Sequence, residues 1–261
     1  MRSCLSRVAV ASLLFSPFVL AQVAARPGPV KAPNAARSND ISGVWAPKVD
    51  TQKSGMDGGT EVLAFSRELP LLTSWAKEKY DLIRKGTNGP FERARDEMDP
   101  HIHCIPYGMP RVFAVNAPFE IVQAQGRVFM LFEADHLVRR IYTDGRKHPE
   151  DADATYMGHS IGKREQDALV VDTVGLSDLT WLDSIGHPHS DALHVVERIR
   201  RVDRITLQIN FTFDDPKAYV KPWGGTKVFE LKPEWQISEQ FACEDHLRDY
   251  HIPKLHRGEP E

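Results

Sequence analysis

His194-Val195-Val196-Glu197-Arg198-Ile199-Arg200-Arg201-Val202, then Asp203-Arg204, then Ile205-Thr206-Leu207-Gln208-Ile209-Asn210-Phe211-Thr212-Phe213 decide the fold. Two β-rich runs flank a two-residue polar break, the pattern of a hairpin. In a strand, alternate side chains share a face. His194, Val196 and Arg198 therefore point one way, and Val195, Glu197 and Ile199 the other. The second face is apolar around one acid and reads as the inside. An isolated buried carboxylate is costly, so Glu197 needs a partner. Arg139 or Arg140, on an earlier run, is the candidate.

Outward from this pair the same grammar repeats. Phe119 to Gln123, Arg127 to Glu133 and Leu137 to Thr143 are β-rich runs broken by Gln125-Gly126 and Asp135-His136. Residues 156 to 163 and 168 to 174 form another hairpin, closing near Gln166-Asp167. Lys227 to Leu231 and Trp235 to Cys243 finish the sheet. The clear helix is Leu71 to Arg84, where Leu72, Trp75, Ala76, Tyr80, Leu82 and Ile83 fall roughly on one face and Thr73 or Ser74 caps the start. Strands with no helices between them favour an antiparallel barrel or sandwich over a parallel sheet. Gly43-Val44-Trp45 resembles the Gly-x-Trp of lipocalin-like barrels, in which a first-strand Trp plugs one end. The expected fold is mainly β: an antiparallel meander closing into a lipocalin-like barrel, with a short helical N-terminal segment.

The termini read differently. Arg2 and Arg7 precede an apolar run from Val8 to Leu20, and Val19 and Ala21 suit a signal peptidase, so residues 1–21 read as a cleavable signal peptide. The run is too short and broken for a membrane span. Residues 22–39, rich in Ala, Pro and Arg, read as a flexible leader, 40–246 as one barrel-like domain and 247–261 as a tail. The destination is the periplasm or the exterior. The formal charge is −3, and no basic face points to nucleic acid. Cys104 and Cys243 remain after cleavage. In an oxidising compartment two such thiols pair, or each is buried separately.

Residues 156–201 hold the densest chemistry: His159, Ser160, Asp183, His187, His189, His194 and Glu197. The chemical expectation is that His159, Asp183, His189 and Glu197 converge at one barrel mouth as acid–base groups. Arg139, Arg140, Ser160, His187 and His194 then bind the substrate, the arginines by holding a carboxylate or polarised oxygen. The plain alternative gives His194 to solvent, Glu197 to a structural ion pair and the 187–189 loop to polar surface. No cofactor is required. The nearest variant is a divalent metal on His101-x-His103 or His187-x-His189 with His194 or Glu197. Gly158-x-Ser160-x-Gly162 matches the nucleophile elbow of α/β-hydrolases by letter, but β-rich sequence on both sides argues against that setting.

Gly158-His159-Ser160-Ile161-Gly162, Asp167-Ala168-Leu169-Val170-Val171-Asp172-Thr173, Thr180-Trp181-Leu182-Asp183, the run from Gly186 to Arg198, and Asp214-Asp215-Pro216-Lys217-Ala218-Tyr219-Val220-Lys221-Pro222-Trp223 resemble an exported bacterial family with no established reaction. The likeness covers about residues 40–246, with Cys104-x-Pro-x-Gly-Met-Pro-Arg and Cys243-Glu244 included. It implies a common, lipocalin-like fold and brings no catalytic role. The family carries Trp-Glu-Gly-Asp where this chain has Arg164-Glu165-Gln166-Asp167, which implies an altered hairpin rim. The expected function is an exported small-molecule enzyme, a lyase, isomerase or hydrolase, acting on an apolar or aromatic substrate with a polar handle. The alternatives are a non-catalytic binding barrel for the same ligands and a structural envelope protein.

Overall fold

A computed structural model describes residues 39–49, 62–87, 89–92, 94 and 96–239. The signal peptide, nearly all of the leader, the tail and Cys243 lie outside the described residues. Nine strands close a barrel in which each strand neighbours the next and β9 returns to β1. They are β1 (Gly43–Pro47), β2 (Phe119–Ala124), β3 (Arg127–Phe132), β4 (Val138–Tyr142), β5 (His159–Glu165), β6 (Ala168–Val174), β7 (His194–Arg201), β8 (Thr206–Asp214) and β9 (Trp223–Leu231). Among the described residues, the ten-residue helix α1 (Ser74–Ile83) lies between β1 and β2. No helix among the described residues is long and apolar enough to cross a membrane.

The alternation read from sequence sets the inside. Val195, Glu197 and Ile199 on β7 and Leu207, Ile209, Phe211 and Phe213 on β8 are buried. The register Glu197↔Phe211 and Ile199↔Ile209 puts them on one face. The interior is filled rather than hollow. Phe113 meets Phe119, Phe132, Phe211 and Phe229 with ring centroids 5.1–6.0 Å apart.

One end is sealed by Trp45, which is fully buried. Its indole Nε1 donates to the Ile41 carbonyl at 2.9 Å, and the Arg201 guanidinium stands 5.3 Å from its ring. At the opposite end, the loop from Gly175 to Leu193 links β6 to β7. There the 62–66 segment packs on β9 so closely that a Cβ on Gly225 would lie 1.6 Å from the Phe65 carbonyl oxygen. Only glycine allows that approach.

Three details depart from the sequence reading. The β4–β5 ladder is parallel, pairing Ile141↔Ser160 and Tyr142↔Ile161, while the other eight are antiparallel. The reason is the long 143–158 connection, which returns the chain to the end of the sheet where β4 began. Residues 235–239 form no strand, so β9 is the last one described and it begins at Trp223. The helix is shorter than expected at its start: Thr73 is the N-cap, its Oγ1 accepting from the Ala76 N–H at 3.3 Å. Thr73 also donates to the Lys217 carbonyl at 2.7 Å, which moors α1 to the β8–β9 connection.

Candidate functional site

The four residues expected to converge do not. Glu197 lies inside the barrel, His159 on its outer surface, and Asp183 and His189 in the β6–β7 loop. The separation follows from strand parity: His159 and His194 occupy outward positions, Ser160 and Glu197 inward ones.

Inside, Glu197 pairs with Arg139, both essentially unexposed. The Arg139 Nη1 donates to Glu197 Oε1 at 2.9 Å, and Nη2 bonds Oε2 as well. Its Nε donates to Ser160 Oγ at 3.1 Å and Nη2 to Thr173 Oγ1 at 2.9 Å, while the two hydroxyls bond each other at 2.9 Å. Nη1 further reaches Met130 Sδ at 3.9 Å. Every donor of the fork is engaged, so the group has no capacity left for a substrate. Ser160 is a strand residue in this network with no helix after it, which removes the nucleophile-elbow setting. Arg140 faces solvent on the other side of β4.

On the outer face, Asp172 Oδ1 bonds His148 Nε2 at 3.0 Å and His194 Nε2 at 2.9 Å. His148 Nδ1 meets His159 Nδ1 at 2.8 Å. When His148 is neutral and gives its Nε2–H to Asp172, the proton between the two Nδ1 atoms belongs to His159. Burial, followed by His148 and Arg146, lowers the His159 pKa below 6.5. Asp172 lies in the chemistry-dense block without an assigned role, and His148 lies outside it; only the shared outward parity of His159, Asp172 and His194 could have joined them.

The third group occupies the β6–β7 loop. Asp183 is fully buried. Its Oδ1 accepts the backbone N–H groups of Ile185 and His187, both at 3.2 Å, which folds the 183–187 turn. Its Oδ2 lies 2.7 Å from His187 Nδ1. A carboxylate there fixes the proton on Nδ1 and leaves Nε2 as a bare acceptor. That Nε2 is buried and has no hydrogen-bond partner, nor has the Tyr80 hydroxyl, while Trp223 interacts with the Tyr219 hydroxyl. The His187 ring lies parallel to Tyr80 at 4.9 Å and edge-on to Trp223 at 5.4 Å. Two unanswered polar atoms thus sit on two stacked rings. Buried polar groups are nearly always bonded, and a catalytic role, a bound water or a ligand accounts for such exceptions.

The surroundings tune these groups. Burial raises the Tyr80 pKa, Arg84 opposes, and Asp183 and Asp81 add to the rise, so the phenol stays protonated. Tyr219, whose hydroxyl donates to the Pro188 carbonyl at 2.7 Å, is raised well above 10 by burial. Lys227 points inward from β9 and donates to the carbonyls of Val62 at 2.6 Å and Ala64 at 2.5 Å. Burial pulls its amine down to about 7 against the favourable field of Asp183.

His189 differs from His187. Its Nδ1 donates to the Ser190 carbonyl and its Nε2 bonds Thr180 Oγ1, each at 3.0 Å. Burial lowers its pKa, and it is a neutral, fully used structural histidine. The metal variant also finds no support in geometry: among the described residues no three His, Cys, Asp or Glu side chains group to hold an ion. His101 is taken by Asp135 at 2.8 Å.

Tyr80, Trp223 and Lys227 were not legible as site residues. Trp223 closes the Asp214–Trp223 string, and that string folds onto the 187–190 one. Ser190 Oγ donates to Asp215 Oδ1 at 2.8 Å, Tyr219 to Pro188, and Trp223 touches His187. Gly186 lets the loop pass under α1, since a Cβ there would lie 2.5 Å from Ile83 Cγ2. Comparison with protein-family models, with curated proteins and with solved structures finds no match to this chain.

Proposed function

We propose that the protein is an exported small-molecule enzyme working by acid–base chemistry, with Asp183–His187 as its centre. The observation that carries this is the bare, buried Nε2 of His187, on a ring whose Nδ1 is held by a carboxylate and which stacks on Tyr80, itself with an unpartnered hydroxyl. In this reading His187 Nε2 removes a proton from the substrate, and Asp183 steadies the imidazolium that results. Tyr80, kept protonated, donates to the oxygen on which charge develops. The rings of Tyr80, Trp223 and Tyr219 favour an aromatic or apolar substrate with one polar handle. Reaction classes consistent with these groups are lyase, isomerase and hydrolase chemistry. His159, His189 and Glu197 keep no direct part in it: His159 lies on the outer face, and the polar atoms of His189 and Glu197 are bonded elsewhere.

The test is a panel of aryl esters, aryl lactones and enolisable aryl ketones, incubated with the chain and with His187→Asn and followed by mass spectrometry. Asn keeps a donor near the Nδ1 position and removes Nε2. Conversion by the wild type, lost by about 10²–10⁴-fold in the variant, supports the centre. Conversion that survives in His187→Asn overturns it. Binding of the same compounds without conversion selects the second reading, a non-catalytic binding barrel.

Export by the 1–21 signal, membership of the exported family that the strings resemble, and a Cys104–Cys243 disulfide belong to the same proposal. Mature protein beginning near residue 22, with no free thiol under non-reducing conditions, is the expected mass-spectrometric result. Two free thiols would reject the pairing.

A further inference from the structure

The far end of the barrel holds a different kind of opening. The parallel β4–β5 ladder spans only two residue pairs, Ile141↔Ser160 and Tyr142↔Ile161. Beyond them β4 turns away, the Thr143 N–H bonding the Gly126 carbonyl at 2.9 Å. β5 runs on to Glu165 with β6 as its ladder partner. The wall therefore parts into a seam, and a cavity of about 480 Å³ fills it. Gln123, Thr143, Arg146, Lys163 and Arg164 line it with polar atoms, while Ala124, Val128 and Ile161 give it an apolar side. This is the size range of small-molecule sites, with few polar groups on an apolar ground.

The charges in the seam are unequal in their use. Arg146 is spent on Asp144, whose oxygens it meets at 2.6–3.1 Å. Lys163 is exposed. Arg164 projects inward, in line with Ser160 and Gly162, and its Nη1 is buried with no hydrogen-bond partner. Asp40 is the acid whose field reaches it, and burial of the guanidinium outweighs that field. An unanswered guanidinium N–H in a cavity with two further cations has a natural complement in a planar anion.

We propose that this seam binds a small organic carboxylate, its anionic end on Arg164 and its hydrocarbon body against Val128 and Ile161. The site is separate from Asp183–His187: it lies at the Trp45 end, with the Phe-rich core and the Arg139–Glu197 pair between, and it does not rest on the catalytic reading.

Benzoate and inorganic phosphate, titrated separately into the ¹⁵N-labelled chain, test it. Benzoate is expected to give saturable shifts at residues 143–146 and 162–164 with a Kd of roughly 1–10 mM, and Arg164→Gln to weaken it about tenfold. Lys163→Gln, an exposed change that leaves the wall intact, is expected to weaken it about twofold. Phosphate, which lacks the apolar body, is expected to bind at least about threefold more weakly. No saturation by benzoate at about 50 mM in the wild type overturns the site. So does benzoate binding that Arg164→Gln leaves unchanged, or shifts confined to the residues around His187. Phosphate binding as tightly as benzoate overturns the assignment to an organic carboxylate.

Discussion

Two buried ion-pairing groups in this molecule look alike in a sequence and are opposites in the structure. Arg139–Glu197 and Asp183–His187 each join a carboxylate to a cationic or basic partner away from water. In the first, hydroxyls, carboxylate oxygens and a thioether take up the donors of the guanidinium. In the second, one ring nitrogen is held at 2.7 Å and the other has no partner. A saturated network is a part of the fold; an unsaturated one is, in the proposed reading, the place for chemistry. Burial alone does not separate them, because Glu197 and Asp183 are both fully buried.

The comparison is broken most directly at Glu197. Glu197→Ala leaves a desolvated guanidinium unpaired and is expected to cost about 3–5 kcal/mol in urea unfolding. The double change Arg139→Met with Glu197→Leu removes both charges and is expected to recover most of that loss. A loss under about 1 kcal/mol in the single variant would mean the network is not structural.

The next effect belongs to Lys227, whose amine falls from 10.5 to about 7 on folding. Between those values the unfolded chain binds the proton and the folded chain does not, so stability rises with pH. The penalty is complete below the folded value and gone above the unfolded one. Lys227→Met is expected to flatten the rise between pH 7 and pH 10 by a few kcal/mol, measured as the difference in unfolding free energy between the two proteins. Parallel pH profiles would show that the lysine is not desolvated.

How much of this was legible follows from period and parity. The inward set Val195, Glu197, Ile199 and the outward set His194, Val196, Arg198 came from alternation alone, and burial agrees with it. Charge narrowed the partner of Glu197 to Arg139 or Arg140, and the structure selects Arg139. Convergence was misjudged because proximity in sequence stood in for proximity in space. His159 is one residue from inward Ser160 and therefore on the opposite face. Tyr80 and Lys227 lie 107 and 40 residues from His187, on a helix and a strand with no local mark of chemistry. The parallel β4–β5 pair was invisible because a long connection carries no signature of direction.

Smaller effects sharpen the contrast between the histidines. The pKa of His189 is lowered by burial from 6.5, so stability falls as pH drops below that value and the unfolded chain takes up the proton first. His189→Gln is expected to weaken that acid dependence and to cost about 1–2 kcal/mol at neutral pH through its lost hydrogen bonds. His187→Asn keeps the bond to Asp183 and is expected to cost about 1–3 kcal/mol through lost ring packing against Tyr80 and Trp223. Because Nε2 has no bond to lose, that cost is expected to carry no acid dependence of the kind described for 189; matching pH profiles of the two variants, read from chemical unfolding, would erase the distinction between a used and an unused imidazole.

The most direct measurement is the tautomer of His187, read from long-range ¹H–¹⁵N correlations of the imidazole in the full chain at neutral pH. The account predicts a protonated Nδ1, shifted by the Asp183 carboxylate, and a bare Nε2 whose resonance moves when a converted substrate or its inert analogue binds. A proton on Nε2, or an Nε2 resonance indifferent to every ligand the protein binds, would contradict it.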